Sequence, residues 1–382
     1  MYKPLSRILV GYFVGAIALP ALAHHSAAPH YDLAREIRVT GIVSKFEFVN
    51  PHAYVYFKAS QGGGAAQEWR CELAARGTLT RLGWTPATFV VGQTLTFRGA
   101  PARREANVCV LYSFVREDGV EVDAHSNLAA GAVRGRGPPP LPVVQADTAA
   151  AAKADPALPA GADGRLAGLW VPRDQGGPGG RGGPGPGARG RGAGRGGPPA
   201  GGGRGPLPQA TAAGRAAAAR YDQRFDDPAV HCSPANILFG WMHDQNVNEI
   251  RLAPREVTLK YGYMDLVRTV HLDTAVHPAT TPGLAGHSIG HWENGVLVVD
   301  TVGFSPGVLN PMAGLMHSAR MHVVERFAVD TTGNVLTRSY QVEDSLYLDG
   351  PFSGSDVVLR SAEAATPYNC VELSGRNNQR PQ

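Results

Sequence analysis

The sequence predicts an all-β protein with a minor share of helix, organised as a five-stranded barrel followed by a larger antiparallel barrel. Two observations lead to this class. Most of the chain outside its glycine-rich parts consists of short segments in which β-branched and aromatic residues alternate with polar ones. Turn residues such as Asn50-Pro51 and Asn294-Gly295 join these segments closely, which favours closed or strongly curved sheets.

The first residues have the layout of a secretory signal peptide. Two basic residues precede an apolar run over residues 8–19, Pro20 ends the run, and Ala21-Leu22-Ala23 fits the small-residue rule for cleavage. The run is shorter than the ~20 residues that a spanning helix needs. We therefore expect cleavage after Ala23, a mature chain that begins at His24, a periplasmic or secreted location, and no membrane span once the signal is removed.

The next part of the chain, residues 24–128, predicts three strands, a short helix and two more strands. The helix is expected at 76–84, where Leu79 and Leu82 share a face at i, i+3 spacing. Strands are expected within 36–59 on both sides of the Asn50-Pro51 turn, and at 68–74, 92–102 and 108–117. This is the order of an OB-type barrel, in which a helix between strands three and four closes one end.

Several motifs in this part resemble a known bacterial family. These are "AHHSAAPHYD", "VTGIVSKFEFVNPHAYVYF", "RLGW" and "GQTLTFRGAPA". Together they resemble exported proteins of the DUF6152 family over roughly residues 24–128. That family has no established activity, so the resemblance implies the fold and export but no reaction.

Two stretches of unusual composition follow. Residues 129–163 are rich in Ala, Pro and Gly and predict a linker, and residues 174–208 are a Gly/Arg/Pro-rich insertion with almost no apolar side chains. Such a segment cannot bury enough apolar surface to offset its ordering entropy, so we expect it to be disordered. A helix is expected at 210–225.

The remainder of residues 164–382 predicts the larger antiparallel barrel. Its strands are expected at 164–173, 247–253, 255–261, 265–272, 286–293, 295–301, 319–329, 333–345 and 355–361. "GHSIGHWENGVLVVDTVGF", "HSARMHVVERF" and "YNCVELSGRNNQ" resemble an uncharacterised exported β domain with a GHSIGxWE motif. Gly168-Leu169-Trp170 resembles the Gly-x-Trp of lipocalins, which makes the expected barrel lipocalin-like.

The charge distribution argues against a nucleic-acid partner. The formal net charge is +4, but setting aside the two basic residues of the signal and the five arginines of the glycine-rich insertion turns it to −3. The aromatic residues Phe46, Phe48, Tyr54, Tyr56 and Phe57 fit a base-stacking face and core packing equally well. Without a basic surface around them, we expect no nucleic-acid binding.

Four cysteines in an exported chain predict disulfides. Three pairings are possible, and the division into two barrels favours Cys71–Cys109 and Cys232–Cys370. No CxxC motif is present, so the sequence supports neither a redox motif nor a zinc knuckle.

The mature N-terminus is a candidate copper site. The amine and imidazole of an N-terminal His24 would form a chelate, and a second histidine would complete a nitrogen-rich site of the kind that suits Cu(II). His52 is the expected second ligand, with His25, His30 and His125 as alternatives. The competing interpretation is that His24 and His25 are solvated terminal residues.

A second group of candidate residues lies in the larger barrel. Strand alternation places His287, Ile289, His291 and Glu293 on one face of the "GHSIGHWE" strand, and it separates His322 from Glu325 on a later strand. His317 lies in the loop before that strand. A barrel interior that carried His287, His317, His322 and Glu293 would suit acid–base catalysis, whereas the competing interpretation makes them hydrogen-bonded structural residues.

Three functions therefore remain open. The first is binding of a small apolar or amphipathic ligand inside the larger barrel. The second is a periplasmic enzyme that uses His287, His317, His322 and Glu293. The third is a Cu(II)-binding factor that uses His24. Neither a nucleotide-binding loop nor a hydrolase elbow occurs in the sequence.

Overall fold

The chain folds into two barrels. A computed structural model describes residues 27–60, 64–131, 158–172, 208–243, 246–279, 281–311, 313–372 and 380. The predicted signal peptide and most of the predicted linker and glycine-rich insertion lie outside these residues. In the described part, no helix is long and apolar enough to cross a membrane.

The first barrel has five strands and the predicted helix between the third and the fourth. Its elements are β1 (Ile37–Glu47), β2 (Tyr54–Ala59), β3 (Gln67–Glu72), α1 (Arg76–Arg81), β4 (Thr94–Pro101) and β5 (Val108–Val115), with a short added strand β6 (Glu121–Asp123) beside β5. The order β3-β2-β1-β4-β5 closes through a parallel β3–β5 pair. The predicted element order is confirmed.

The core of the first barrel follows from strand alternation and from one helix face. Leu79 and Leu82 on that face are at most 1% exposed, and Trp84 behind them donates its indole N–H to the Ser126 carbonyl. The Phe57 and Phe97 rings stack at 4.0 Å between strands that face each other. Of the aromatic residues that the sequence offered for base stacking or packing, Tyr54 and Phe57 are buried, and Phe46 and Phe48 pack partly buried against the same core, whereas Tyr56 is only half-buried.

The second barrel has nine strands. They are β7 (Gly168–Pro172), β8 (Asn248–Leu252), β9 (Glu256–Lys260), β10 (Val267–His271), β11 (His287–Glu293), β12 (Val296–Val302), β15 (His322–Val329), β16 (Val335–Glu343) and β17 (Phe352–Arg360). Their closed order is β10-β11-β12-β15-β16-β17-β7-β8-β9. The predicted larger barrel is confirmed, with one correction: β10 and β11 run parallel, joined by residues 272–286.

Turn chemistry fixes the register of the predicted hairpin. Asn294 and Gly295 have φ values of 48° and 84°, as the tight turn between β11 and β12 requires. The two strands then pair from Glu293 with Val296 to His287 with Val302. This register determines which side chains of β11 and β12 become neighbours on the outer face.

The segments between β7 and β8 depart most from the prediction. The single helix expected at 210–225 is two helices, α2 (Ala212–Ala218) and α3 (Gln223–Asp226), because Asp222 caps the second one through the Arg224 backbone N–H. A further helix, α4 (Ile237–Met242), was not predicted. Between β12 and β15, a two-stranded ribbon was also not predicted: β13 (Gly307–Asn310) and β14 (Leu315–His317). His317 therefore ends a strand rather than lying in a loop.

Candidate functional site

Four charged side chains are buried together with the apolar core of the second barrel. Arg268 donates to Glu325, and Arg338 contacts Glu325 at 3.4 Å and donates to Asp356. The side chains of the two arginines and two carboxylates are at most 6% exposed. Burial alone would lower the pKa of Arg338, but the adjacent carboxylates of Asp356 and Glu325 hold it above the ordinary value. The four charges balance.

Helix α4 completes this interior. Arg338 donates to the Ile237 and Leu238 carbonyls at 3.1 Å each, and its guanidinium lies 5.4 Å from the Trp241 ring centroid. Arg268 donates to the Tyr261 hydroxyl at 3.1 Å. The polar groups that the sequence analysis expected inside the barrel are thus arginines and carboxylates on β10, β15, β16 and β17. The histidines are not among them.

His287 and His322 lie on the outer face instead, which corrects the expectation that they face the barrel interior. His287 shares the outward side of β11 with His291 and Glu293, while Ser288 and Gly290 on the inward side are buried. His322 likewise faces outward on β15, and Glu325 is completely buried on the inward side. The predicted separation of His322 from Glu325 is confirmed.

Four side chains on this outer face form one hydrogen-bonded chain, which we name the outer relay. His287 Nδ1 lies 2.9 Å from His277 Nδ1, and His277 Nε2 lies 3.0 Å from Asp300 Oδ1. His322 Nε2 lies 3.0 Å from the same Asp300 oxygen. The ring of His271 stacks on His287 with a centroid distance of 5.1 Å.

Hydrogen-bond chemistry assigns the protons along the outer relay. A carboxylate only accepts hydrogen bonds, so His277 and His322 each donate to Asp300 through Nε2–H. In its neutral form His277 then accepts through Nδ1, and His287 donates through Nδ1–H. When all three rings are neutral, the nitrogens without a proton are Nε2 of His287 and Nδ1 of His322.

The surroundings of His287 favour its neutral form. Burial lowers the pKa of His287 below its ordinary value, and the neighbouring rings of His277 and His271 lower it further. The side chains of His322 and Asp300 are 37% and 41% exposed, so molecules in solution reach the relay directly. The arrangement offers a neutral imidazole base backed by a second imidazole and a carboxylate.

The other two predicted catalytic residues lie elsewhere. Glu293 pairs with His291 at 2.9 Å and with Arg326, further along the outer face. His317 is 3% exposed beneath Phe304, with its Nδ1 3.3 Å from the Ser318 carbonyl. The structure therefore brings together His287 and His322 but not Glu293 or His317.

Two members of the outer relay were missed as a pair by sequence reasoning. Asp300 lies in a predicted strand, where a single carboxylate gives no sign of its partners, and His277 lies outside every predicted strand. His277 belongs to the crossing between β10 and β11, and only the parallel pairing of those strands carries it to His287. No periodic pattern in the sequence marks a loop residue of this kind.

The predicted copper ligands are only partly within the described residues. His24 and His25 lie outside them. His52 follows the cis Asn50–Pro51 peptide, and its Nδ1 lies 3.2 Å from the Leu73 carbonyl and 3.3 Å from Glu72. Because a carbonyl only accepts, Nδ1 donates to Leu73, and Nε2 is the ring nitrogen that a metal ion would have to use.

The two other described histidines that were alternative copper ligands, His30 and His125, lie in different parts of the first barrel. His30 precedes the buried Tyr31, and His125 is exposed after β6. Among the described residues, no group of three or more His, Cys, Asp or Glu side chains is arranged to hold a metal ion.

Both predicted disulfides are present. Cys71 and Cys109 join register partners on the parallel strands β3 and β5. Cys232 and Cys370 join the end of the 3-10 helix Pro228–His231 to the C-terminal segment. Two disulfides indicate a non-cytoplasmic location, because reducing compartments rarely retain them.

Comparison with known proteins finds a family model that matches the N-terminal part of the chain. No curated protein and no solved structure matches this chain. Residues 13–110 match the model of a family of unknown function, DUF6152. This confirms the resemblance seen in the "HHS" and "NPHA" motifs, and the matched residues include β1 to β4 of the first barrel.

Proposed function

We propose that the chain is a periplasmic or secreted enzyme that transfers protons at the outer relay, with His287 as the general base. The observation that carries this proposal is the unbroken chain from His287 through His277 to Asp300 and His322. A proton taken up at His287 Nε2 turns this residue into an imidazolium. Its Nδ1–H then points at His277, and Asp300 stabilises the charge that reaches His277. This is the logic of a base held by a second group and a carboxylate.

His322 supplies the complementary position. Its Nε2–H is fixed by the shared oxygen of Asp300, so its Nδ1 is a second proton acceptor on the same face. Asp300 is a positioning residue, because it orients two rings without contacting a substrate. Glu293 and His317 stay predictions without a place in this relay.

Binding of an apolar ligand inside the larger barrel has less support. A ligand site of that type needs mostly apolar walls around a space, with a few polar groups. The centre of this barrel holds Arg268, Glu325, Arg338 and Asp356, all paired and buried. The copper-binding proposal depends on His24, and its support is that His52 uses Nδ1 for Leu73 and Glu72 and so leaves Nε2 for a metal ion.

Export by a cleaved signal peptide belongs to the same proposal. The two disulfides support an oxidising compartment, and the basic, apolar and small-residue order of residues 1–23 supports cleavage after Ala23. N-terminal sequencing of the exported chain checks this point.

The relay can be tested without knowledge of the natural substrate. The carbon acid 5-nitrobenzisoxazole reports general-base catalysis through release of a coloured phenolate. We expect the unmodified chain to accelerate its opening, and His287→Gln to lose at least about tenfold of that rate, within the range of general-base contributions. Asp300→Asn should lower the rate less and shift its pH profile.

A matched control lies on the same strand. His291 faces the same side of β11 and is 64% exposed, but it pairs with Glu293 rather than with the relay. His291→Gln should therefore leave the rate unchanged. Equal rates for His287→Gln and His291→Gln would refute the proposal. Long-range proton–nitrogen NMR spectra give a second check, because they should show protonated Nδ1 in His287 and protonated Nε2 in His277 and His322.

A further inference from the structure

The segment formed by residues 363–371, which we name the strap, lies against the first barrel. Asn50 of the Asn-Pro-His turn donates its side-chain amide to the Tyr368 carbonyl at 2.6 Å and accepts the Val371 backbone N–H at 2.7 Å. Arg76 donates to the Pro367 and Tyr368 carbonyls at 3.0 and 3.2 Å. Almost every contact is to strap backbone, so this surface recognises an extended chain.

The strap is also fixed to the second barrel. The Tyr368 backbone N–H donates to Asp265 at 2.9 Å, and the Tyr368 ring meets Tyr263 edge-on at 5.2 Å. Cys370 is tied to Cys232. The strap therefore joins the two barrels: its Pro367 and Tyr368 carbonyls and the Glu363 side chain contact the first, and the Tyr368 ring and Cys370 contact the second.

The two disulfides differ in how easily a thiol can reach them. Cys71 and Cys109 are at most 1% exposed inside the first barrel, whereas Cys232 and Cys370 are half-buried at the surface. Thiol–disulfide exchange requires access of the attacking thiolate to a sulfur atom. A reductant in solution will therefore open Cys232–Cys370 first.

We propose that the Asn50–Arg76 surface of the first barrel is a docking site for the strap, and that the Cys232–Cys370 disulfide is a reducible latch that holds the strap there. A dithiol reductant opens the latch: its two thiols become a disulfide, and their electrons and protons pass to Cys232 and Cys370 as two thiols. The strap then keeps only its hydrogen bonds and the Tyr368 contact. The proposal is independent of the outer relay.

The docking site also explains why the turn has its sequence. Asn50 is 1% exposed and uses its amide N–H, its side-chain oxygen and its backbone carbonyl, the last two as acceptors from Gly77 and Val371. The side chain of His52 points to Leu73 and Glu72 instead. In the Asn-Pro-His turn, Asn50 is therefore the residue that binds the strap, and His52 takes no part in that contact.

The test combines cysteine labelling with hydrogen exchange on the full chain. A low concentration of dithiothreitol followed by iodoacetamide should label Cys232 and Cys370 before Cys71 and Cys109. In the reduced chain, amide exchange in peptides covering 363–372 and 49–53 should accelerate at least about tenfold, as expected for a segment released from its local constraint. Peptides from β12 and β15 should not change.

Two variants separate the latch from the surface. Cys232→Ser/Cys370→Ser should reproduce the faster exchange without reductant, and Asn50→Ala should accelerate strap exchange while the disulfide stays closed. If the double variant does not fold, the reductant experiment on the unmodified chain still decides. Labelling of Cys71 and Cys109 first, or unchanged strap exchange after the latch has opened, would overturn the proposal.

Discussion

The buried charges of the second barrel allow a prediction in which two substitutions do less harm than one. Glu325→Leu removes the carboxylate that Arg268 and Arg338 share, and it leaves one positive charge uncompensated at a position with no exposure. Arg268→Met together with Glu325→Leu removes one charge of each sign. The pair Arg338–Asp356 stays intact, and the interior remains neutral.

The magnitudes follow from these partners. Breaking a buried ion pair by removing one member costs about 3–5 kcal/mol, because the other charge is left buried and unpaired. In the double variant the main remaining loss is the hydrogen bond from Arg268 to the Tyr261 hydroxyl, a loss of roughly 1–3 kcal/mol. We therefore expect the double variant to be the more stable by about 2 kcal/mol, which is a coupling of the two sites.

The assay must report the second barrel alone, because a chain with two barrels need not unfold in one step. Hydrogen exchange of peptides from β15 and β16, followed against guanidinium chloride, gives the free energy of unfolding of that barrel. Peptides from β1 and β4 in the same sample are the internal control and should not change. If the double variant is as unstable as Glu325→Leu, or less stable, then the reasoning from charge balance is wrong.

Three further predictions concern other parts of the chain. Burial lowers the pKa of His317, so the folded protein favours its neutral form. The contribution of neutral His317 to stability is complete above the unfolded pKa of about 6.5, and it is lost as the pH falls through the lower folded pKa. His317→Gln should therefore flatten the loss of stability between about pH 7 and pH 5 in denaturant titrations. Calorimetry should show tighter Cu(II) binding for a chain that begins at His24 than for one extended at its N-terminus, with His52→Ala weakening it, whereas equal affinities would indicate a solvated terminus. Deletion of residues 175–206 should leave the melting temperature within a few degrees, because loop-closure entropy changes slowly with length, and a larger loss would show that the insertion packs against a barrel.

Strand alternation was enough to predict most of the two barrels and the facing of individual residues. The pattern "GHSIGHWE" correctly placed His287, His291 and Glu293 on one side of β11, and the division into barrels correctly paired the cysteines. Alternation cannot tell which side is inside when both sides carry apolar and polar groups. On β11 the outward side carries the apolar Ile289 among polar residues, whereas the inward side carries Ser288, Gly290 and the partly buried Trp292.

The candidate site was predictable only in part for the same reason. His287 and His322 could be named as chemical groups from the sequence, but their link runs through His277, which lies outside any strand. The charges that do occupy the interior come from four different strands, and no segment of the sequence shows them as neighbours. Their mutual neutralisation is a property of the closed barrel rather than of any segment.

The count of nine strands has a consequence for the placement of the outer relay. Around a ring, neighbours can alternate in direction throughout only if their number is even, so a ring of nine must contain a like-directed pair. Here that seam is β10–β11, and the other eight neighbouring pairs are antiparallel. Because β10 and β11 run in the same direction, the chain must return from one rim of the barrel to the other between them, and residues 272–286 form this connection. The odd number of strands therefore requires a long connection between β10 and β11, and this connection places His277 next to His287.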